Sequence, residues 1–116
     1  MTEILNQLTL AAKACGHLVI GPVERFIVQP NAEHMGGLIV RNDQGGDSAW
    51  NPRNSDGDCA RMEAQLSVCV EWSEAWVISW HGNVQQTVLF STHNGDKNAA
   101  RRAASVAVAA EIGRLK

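Results

Sequence analysis

The sequence predicts an α+β domain, an α/β/α-type sandwich in which about three helices pack on a mainly antiparallel sheet. Three observations predict it. Apolar residues recur at helical spacing in separate stretches, the period falls to two over a long run beginning near Val68, and turn-forming Gly, Pro, Asn and Asp separate the segments. The order reads α-β-β-(β)-α-β-β-β-α, with no internal repeat and no linker. At 116 residues the chain suits a single domain spanning 1–116, because domains most often hold about 100–150 residues.

Residues 2–15 form the first helix in this reading. Ile4, Leu8, Ala11, Ala12 and Cys15 share one face, Thr2 is placed as N-cap, Glu3 suits the first turn and Gly16 suits C′. Three short apolar runs follow, His17–Ile20, Arg25–Val28 and Gly37–Arg41, and they read as strands. Gly21-Pro22 separates the first two, while Pro30 and Gly36-Gly37 bound the region after them.

From Asn42 to Asp56 the composition is that of a long loop, and long loops in compact domains are often functional. A second helix then begins. Ser55 with Asp58 three residues on makes a variant capping box, and Cys59, Met62 and Leu66 lie on one face. Beyond it, Val68, Val70 and Trp72, then Trp76, Ile78 and Trp80, then Val84, Gln86, Val88 and Phe90 alternate along three strands. Ser73-Glu74 and Gly82-Asn83 sit where hairpin turns belong, so the segment reads as an antiparallel meander with one covered face. The last helix starts after the N-cap Asp96 and runs to about Gly113, with Val108, Ile112 and Leu115 directed at the sheet. Ala99, Ala103, Val106 and Ala110 form a second, small-residue side that suits a close helix or a partner.

The totals exclude several classes. A net charge of −2 with 19% charged residues argues against a dominant polyanion-binding role. Three cysteines without a CxxC pair fit a reducing compartment. The first residues lack a basic region and an apolar run, so no signal peptide is expected, and no stretch approaches a membrane span. These features predict a cytoplasmic protein.

Chemistry-bearing patterns are sparse. Asp43, Asp47, Asp56 and Asp58 do not match the EF-hand spacing, and His17, His34, His81 and His93 include no i, i+4 pair, so no metal is expected. There is no GxSxG elbow, P-loop or dinucleotide fingerprint; no catalytic residue and no cofactor is assigned. The most distinctive stretch is Trp50–Asp58. Trp50, Asn51, Pro52, Asp56 and Asp58 are its recognition-loop candidates, with Trp50 as aromatic anchor and the aspartates as acceptors. The same residue types also serve a purely architectural turn and helix cap. Lys97, Arg101 and Arg102 at the start of the last helix are candidates for phosphate contact, loosely similar to the basic helix of double-stranded RNA-binding domains, although they equally suit a solvated helix face. Trp72, Trp76 and Trp80 are expected in the core; on an open face they would form a binding patch or a homodimer interface.

Three segments carry a family resemblance. The helix end Ala11-Ala12-Lys13-Ala14-Cys15-Gly16, the turn Trp50-Asn51-Pro52-Arg53-Asn54-Ser55-Asp56-Gly57-Asp58, and Asn98-Ala99-Ala100-Arg101-Arg102-Ala103-Ala104 leading to Ala109-Ala110-Glu111-Ile112-Gly113 together resemble the phage ABA sandwich domain family. The Asn- and Gly-rich approach to Trp50 is longer here than the family pattern. The resemblance implies an α/β sandwich, a phage or prophage origin and a bacterial host cell; it implies no activity. The resulting expectation is a phage or prophage accessory protein acting as a non-enzymatic protein-interaction module. Its partner would be a host or phage protein or a second copy of the chain; the alternative is a nucleic-acid-associated factor using the basic last helix.

Overall fold

The computed structural model describes residues 2–26, 31–41 and 44–116. It has the expected α+β class, built from helices and antiparallel strands. The strands form two three-stranded sheets, β1-β2-β3 and β4-β5-β6, where a single sheet was expected. Helix α1 (Thr2–Ala14) packs on the first sheet, α4 (Lys97–Leu115) packs on the second, and the two helices pack on each other. The helices therefore lie between the sheets.

The first sheet runs β1 (Leu18–Pro22), β2 (Leu38–Arg41) and β3 (Asp47–Trp50), all antiparallel. Central β2 has Leu38, Ile39 and Val40 all buried, the run of a strand covered on both faces. β1 shifts register between Val19 and Gly21 and ends at Pro22, which has no N–H to extend the ladder. The chain consequently turns into a short helix, α2 (Val23–Phe26), anchored by fully buried Val23. This corrects the expected strand at Arg25–Val28: Arg25 and Phe26 are helical, and Ile27 and Val28 lie outside the described residues, as do Pro30, Asn42 and Asp43. β3 corrects the expected loop from Asn42 to Asp56. Asp47 and Ser48 are exposed on this edge strand, so it has no apolar alternation to read.

Helix α3 (Asp56–Leu66) starts as expected, with the Ser55 side chain accepting from the Asp58 N–H, and ends on Ser67 in the left-handed region. The second sheet is the expected meander: β4 (Cys69–Trp72), β5 (Trp76–His81) and β6 (Val84–Leu89). Gly82 at φ +57 opens the two-residue β5–β6 turn, the conformation a first-position glycine supplies.

Two apolar clusters meet on α4. Leu8, Ala11, Ala12 and Cys15 of α1 pack with Leu38, Val40 and Trp50, with Cys59 and Met62 of α3, and with Val106 and Ala109 of α4. On the other side, Ala100 and Ala104 pack with Val77 and Phe90. The expected inner faces need two corrections. Leu115, the last residue of α4, is 72% exposed, and Ile4 at the start of α1 is 39% exposed.

Candidate functional site

The Trp50–Asp58 segment is packed against the body of the protein. Trp50, Asn51, Pro52, Ser55 and Asp58 are buried, and the His17 ring meets Trp50 edge-on at 5.5 Å between centroids. Asn51 organises the turn. Its side-chain amide donates to the Met35 carbonyl at 2.9 Å, and its side-chain oxygen accepts from the Arg53 N–H at 3.1 Å. Gly37 lies so close that a Cβ there would sit 2.5 Å from the Trp50 carbonyl oxygen.

Asp58 is the hub. Its Oδ2 accepts from the Asn51 N–H at 2.9 Å and lies 2.8 Å from His34 Nε2, while Oδ1 accepts from Arg61 Nη2 at 2.5 Å. One buried carboxylate thus joins α3, β3 and the turn holding His34. His17, His34, Trp50, Arg61 and Gln65 line a cleft of about 490 Å³ beside it. Asp56, in contrast, is exposed and accepts from Arg102 Nη1 at 2.6 Å. Asp58→Asn should lower the unfolding free energy by about 1–3 kcal/mol, because an amide has one acceptor oxygen where the carboxylate has two. A urea midpoint identical to wild type would contradict the assignment of Asp58 as hub.

The three basic candidates on α4 all have partners within the chain. Arg101 donates to both oxygens of Glu63, with Nε at 2.8 Å. This bond raises the Arg101 pKa. Arg102 donates from Nε to the Arg53 carbonyl at 2.8 Å as well as to Asp56. Lys97 Nζ sits 5.5 Å above the Phe90 ring. Nearby Arg53 is half-buried, and burial, with Arg102 beside it, lowers its pKa.

Glu63 belongs to a buried polar chain that sequence spacing does not reveal. Ser105 Oγ donates to Glu63 Oε2 at 2.5 Å; having given its proton there, it accepts from Ser79 Oγ at 2.9 Å. The chain runs from α3 through α4 to β5. Burial raises the Cys15 thiol to about 11 and the Cys59 thiol to about 12, so neither is a nucleophile at neutral pH. Among the described residues, no group of three or more His, Cys, Asp and Glu could hold a metal ion. No helix among them is long and apolar enough to cross a membrane.

The outer sheet face corrects the expected placing of the tryptophans. Val77 and Ser79 are fully buried, and Ser79 bonds α4, so this side of β5 faces the helix. By strand alternation Trp76, Ile78 and Trp80 point the other way, each half-buried. Their register partners complete the face: Cys69 and Gln85 flank Trp80, Glu71 and Thr87 flank Ile78, and Leu89 flanks Trp76. Leu89 is 49% exposed. β5 packs on β4, β6 and α4, and α4 occupies only the inner face. Trp72 is on the helix side, tilted against Phe90 at 6.1 Å, yet 49% exposed because it closes the short edge strand β4. Period-two alternation gave this face its membership; what it could not give was which side α4 would cover.

Comparison with family models, with curated protein sequences and with solved structures finds no match for the chain.

Proposed function

We propose that the protein is a non-enzymatic interaction module, a phage or prophage accessory factor that docks a host or phage protein on the outer face of β4-β5-β6. The observation that carries this reading is the row Trp76, Ile78 and Trp80 with Leu89 beside it, on the face opposite α4. Tryptophans half-buried by their own strand neighbours already have restricted rotamers, so little side-chain entropy is lost when a partner covers them. Aromatic groups of this kind are the usual anchors of protein interfaces. The phage or prophage setting rests on the three segments that resemble the phage ABA sandwich domain family.

The nucleic-acid alternative needs cationic groups free to meet phosphates. Arg101 and Arg102 are instead held by Glu63, Asp56 and the Arg53 carbonyl, which favours the sheet. Co-purification from phage-infected cells tests the proposal. Wild type should retain one stoichiometric protein partner, and the pair Trp76→Ser with Trp80→Ser should retain at least about tenfold less, as expected for truncated anchors. A folded double variant that keeps the partner in full would remove the sheet from consideration. Repeated recovery of no partner by wild type would remove the function itself.

A further inference from the structure

The two sheets have four edges, and three of them carry features that discourage strand pairing. β1 has a register shift and ends in Pro22. β3 is four residues long and carries Asp47. β4 is also four residues long and carries Glu71. Charge, proline, bulges and shortness are the means by which proteins protect sheet edges. β6 has none of them: Val84–Leu89 is six residues long, without charge or proline, and in unbroken register with β5.

The β5–β6 ladder defines which groups this edge offers. The two-residue turn closes on the pair His81↔Val84, and beyond the strand the Phe90 N–H donates to the Ala75 carbonyl at 3.0 Å. Hydrogen bonds to β5 therefore come from the even positions 84, 86, 88 and 90, since antiparallel pairs alternate. Gln85, Thr87 and Leu89 direct their backbone N–H and C=O groups outward. The Leu89 carbonyl already accepts from Thr92 Oγ1 at 2.6 Å and opens the 3-10 turn Phe90–His93, so the outward ladder rests on both groups of Gln85 and Thr87 and on the Leu89 N–H.

We infer that the β6 edge is the seat of a symmetric homodimer, in which two copies pair antiparallel about a twofold axis at Thr87 to form one six-stranded sheet. The inference deepens the reading of this sheet as an interaction surface. A perpendicular twofold requires opposed residues to share a face, and pairing centred on Thr87 satisfies this. It sets Thr87 opposite Thr87, Gln85 opposite Leu89, and Gln86 opposite Val88, bringing no like charges together. Thr–Thr pairs are favourable across strands. Each exposed Leu89 enters the same row as the Gln85 and Trp80 of the second copy, so the outer face becomes continuous across both.

The helices permit the approach. α4 lies over β5 and β6, and strands are about 4.8 Å apart, so the two α4 axes would stand about 10 Å apart. The side of α4 carrying Arg101 and Ser105 meets α3. Ala99, Ala103 and Ala107, half-buried and one turn apart, lie on the other flank and leave room for a second α4. The paired strands span only about 17 Å, which points to a micromolar dimer, smaller than a standard interface of about 800 Å² per partner.

Sedimentation equilibrium at about 100 µM, well above a micromolar Kd, tests this with the intact chain. Wild type should show twice its 12.6 kDa mass. Thr87→Lys places like charges on the axis, and Thr87→Pro removes an N–H that β5 does not use; both should sediment as folded monomers. Thr87→Cys in a Cys69→Ser background should form a disulfide-linked dimer on oxidation, because opposed residues in such a pair stand about 5.5 Å apart. A wild type that stays monomeric overturns the inference, including one whose edge accepts an extended peptide from another protein. So does a dimer that survives both Thr87→Lys and Thr87→Pro, or a failure of the Thr87→Cys chains to cross-link should those two variants not fold. The copurification experiment with the tryptophan pair is independent of these outcomes, since a monomer still presents Trp76 and Trp80.

Discussion

Glu63→Ala should lower the unfolding free energy by about 3–5 kcal/mol, the usual loss when one member of a buried ion pair is removed. Glu63 is 8% exposed and receives Arg101 at both oxygens together with the Ser105 hydroxyl. Its removal strands the Arg101 guanidinium, whose side chain is only 19% exposed, and takes from Ser105 its carboxylate acceptor, leaving only the Ser79 hydroxyl. The resulting fall in Tm should be about 10–20 °C. Glu63→Gln keeps the volume and one acceptor and should lose less. The combined change Glu63→Leu with Arg101→Met removes both charges together and should recover much of the loss, because the desolvation of the pair disappears with it. Urea unfolding of the four proteins, at constant m, measures each difference. A combined variant no more stable than Glu63→Ala would contradict the account.

Gly113→Ala should be strongly destabilising even though alanine is the better helix former by about 1 kcal/mol. A Cβ at 113 would stand 1.9 Å from the Leu10 carbonyl oxygen and 2.7 Å from its carbon, both backbone atoms of α1. The helices can accept it only by separating, which loosens Leu8, Ala11, Val106 and Ala109 at once. The net cost should be about 3 kcal/mol, toward the upper end for overpacking. Gly57→Ala is the contrasting case. The nearest atoms to its Cβ belong to the flexible Arg61 guanidinium, at 3.4 Å, so the helix propensity gain should survive as a rise of up to about 1 kcal/mol. Equal effects of the two substitutions in a thermal melt would show that propensity, not contact, governs both.

Legibility followed range in the chain. The Ser55 cap, the Gly82 turn and the meander are local, three or four residues at a time, and the sequence showed them. Asn51 and Pro52 were visible as a distinctive turn. The partners of Asn51, the Met35 carbonyl and Gly37, come from another part of the chain and left no trace in spacing. His34 was missed as the partner of Asp58 for the same reason. Arg101 and Arg102 read as a charged helix start because the carboxylates that neutralise them, Glu63 and Asp56, lie on α3. The division into two sheets was hidden too, since alternation marks a strand's two faces but not the sheet it joins.

The contact between α1 and α4 has a consequence for the order of events during synthesis. The first core, built by α1, the first sheet and α3, is completed by Val106 and Ala109, and Gly113 of α4 sits against Leu10. Those residues are made after all the others that build this core. Until they emerge, the apolar face of α1 has no cover on that side, so the N-terminal half cannot settle as a separate cotranslational unit. The first core therefore closes only once α4 has been made, with α1 waiting for a helix some ninety residues further on.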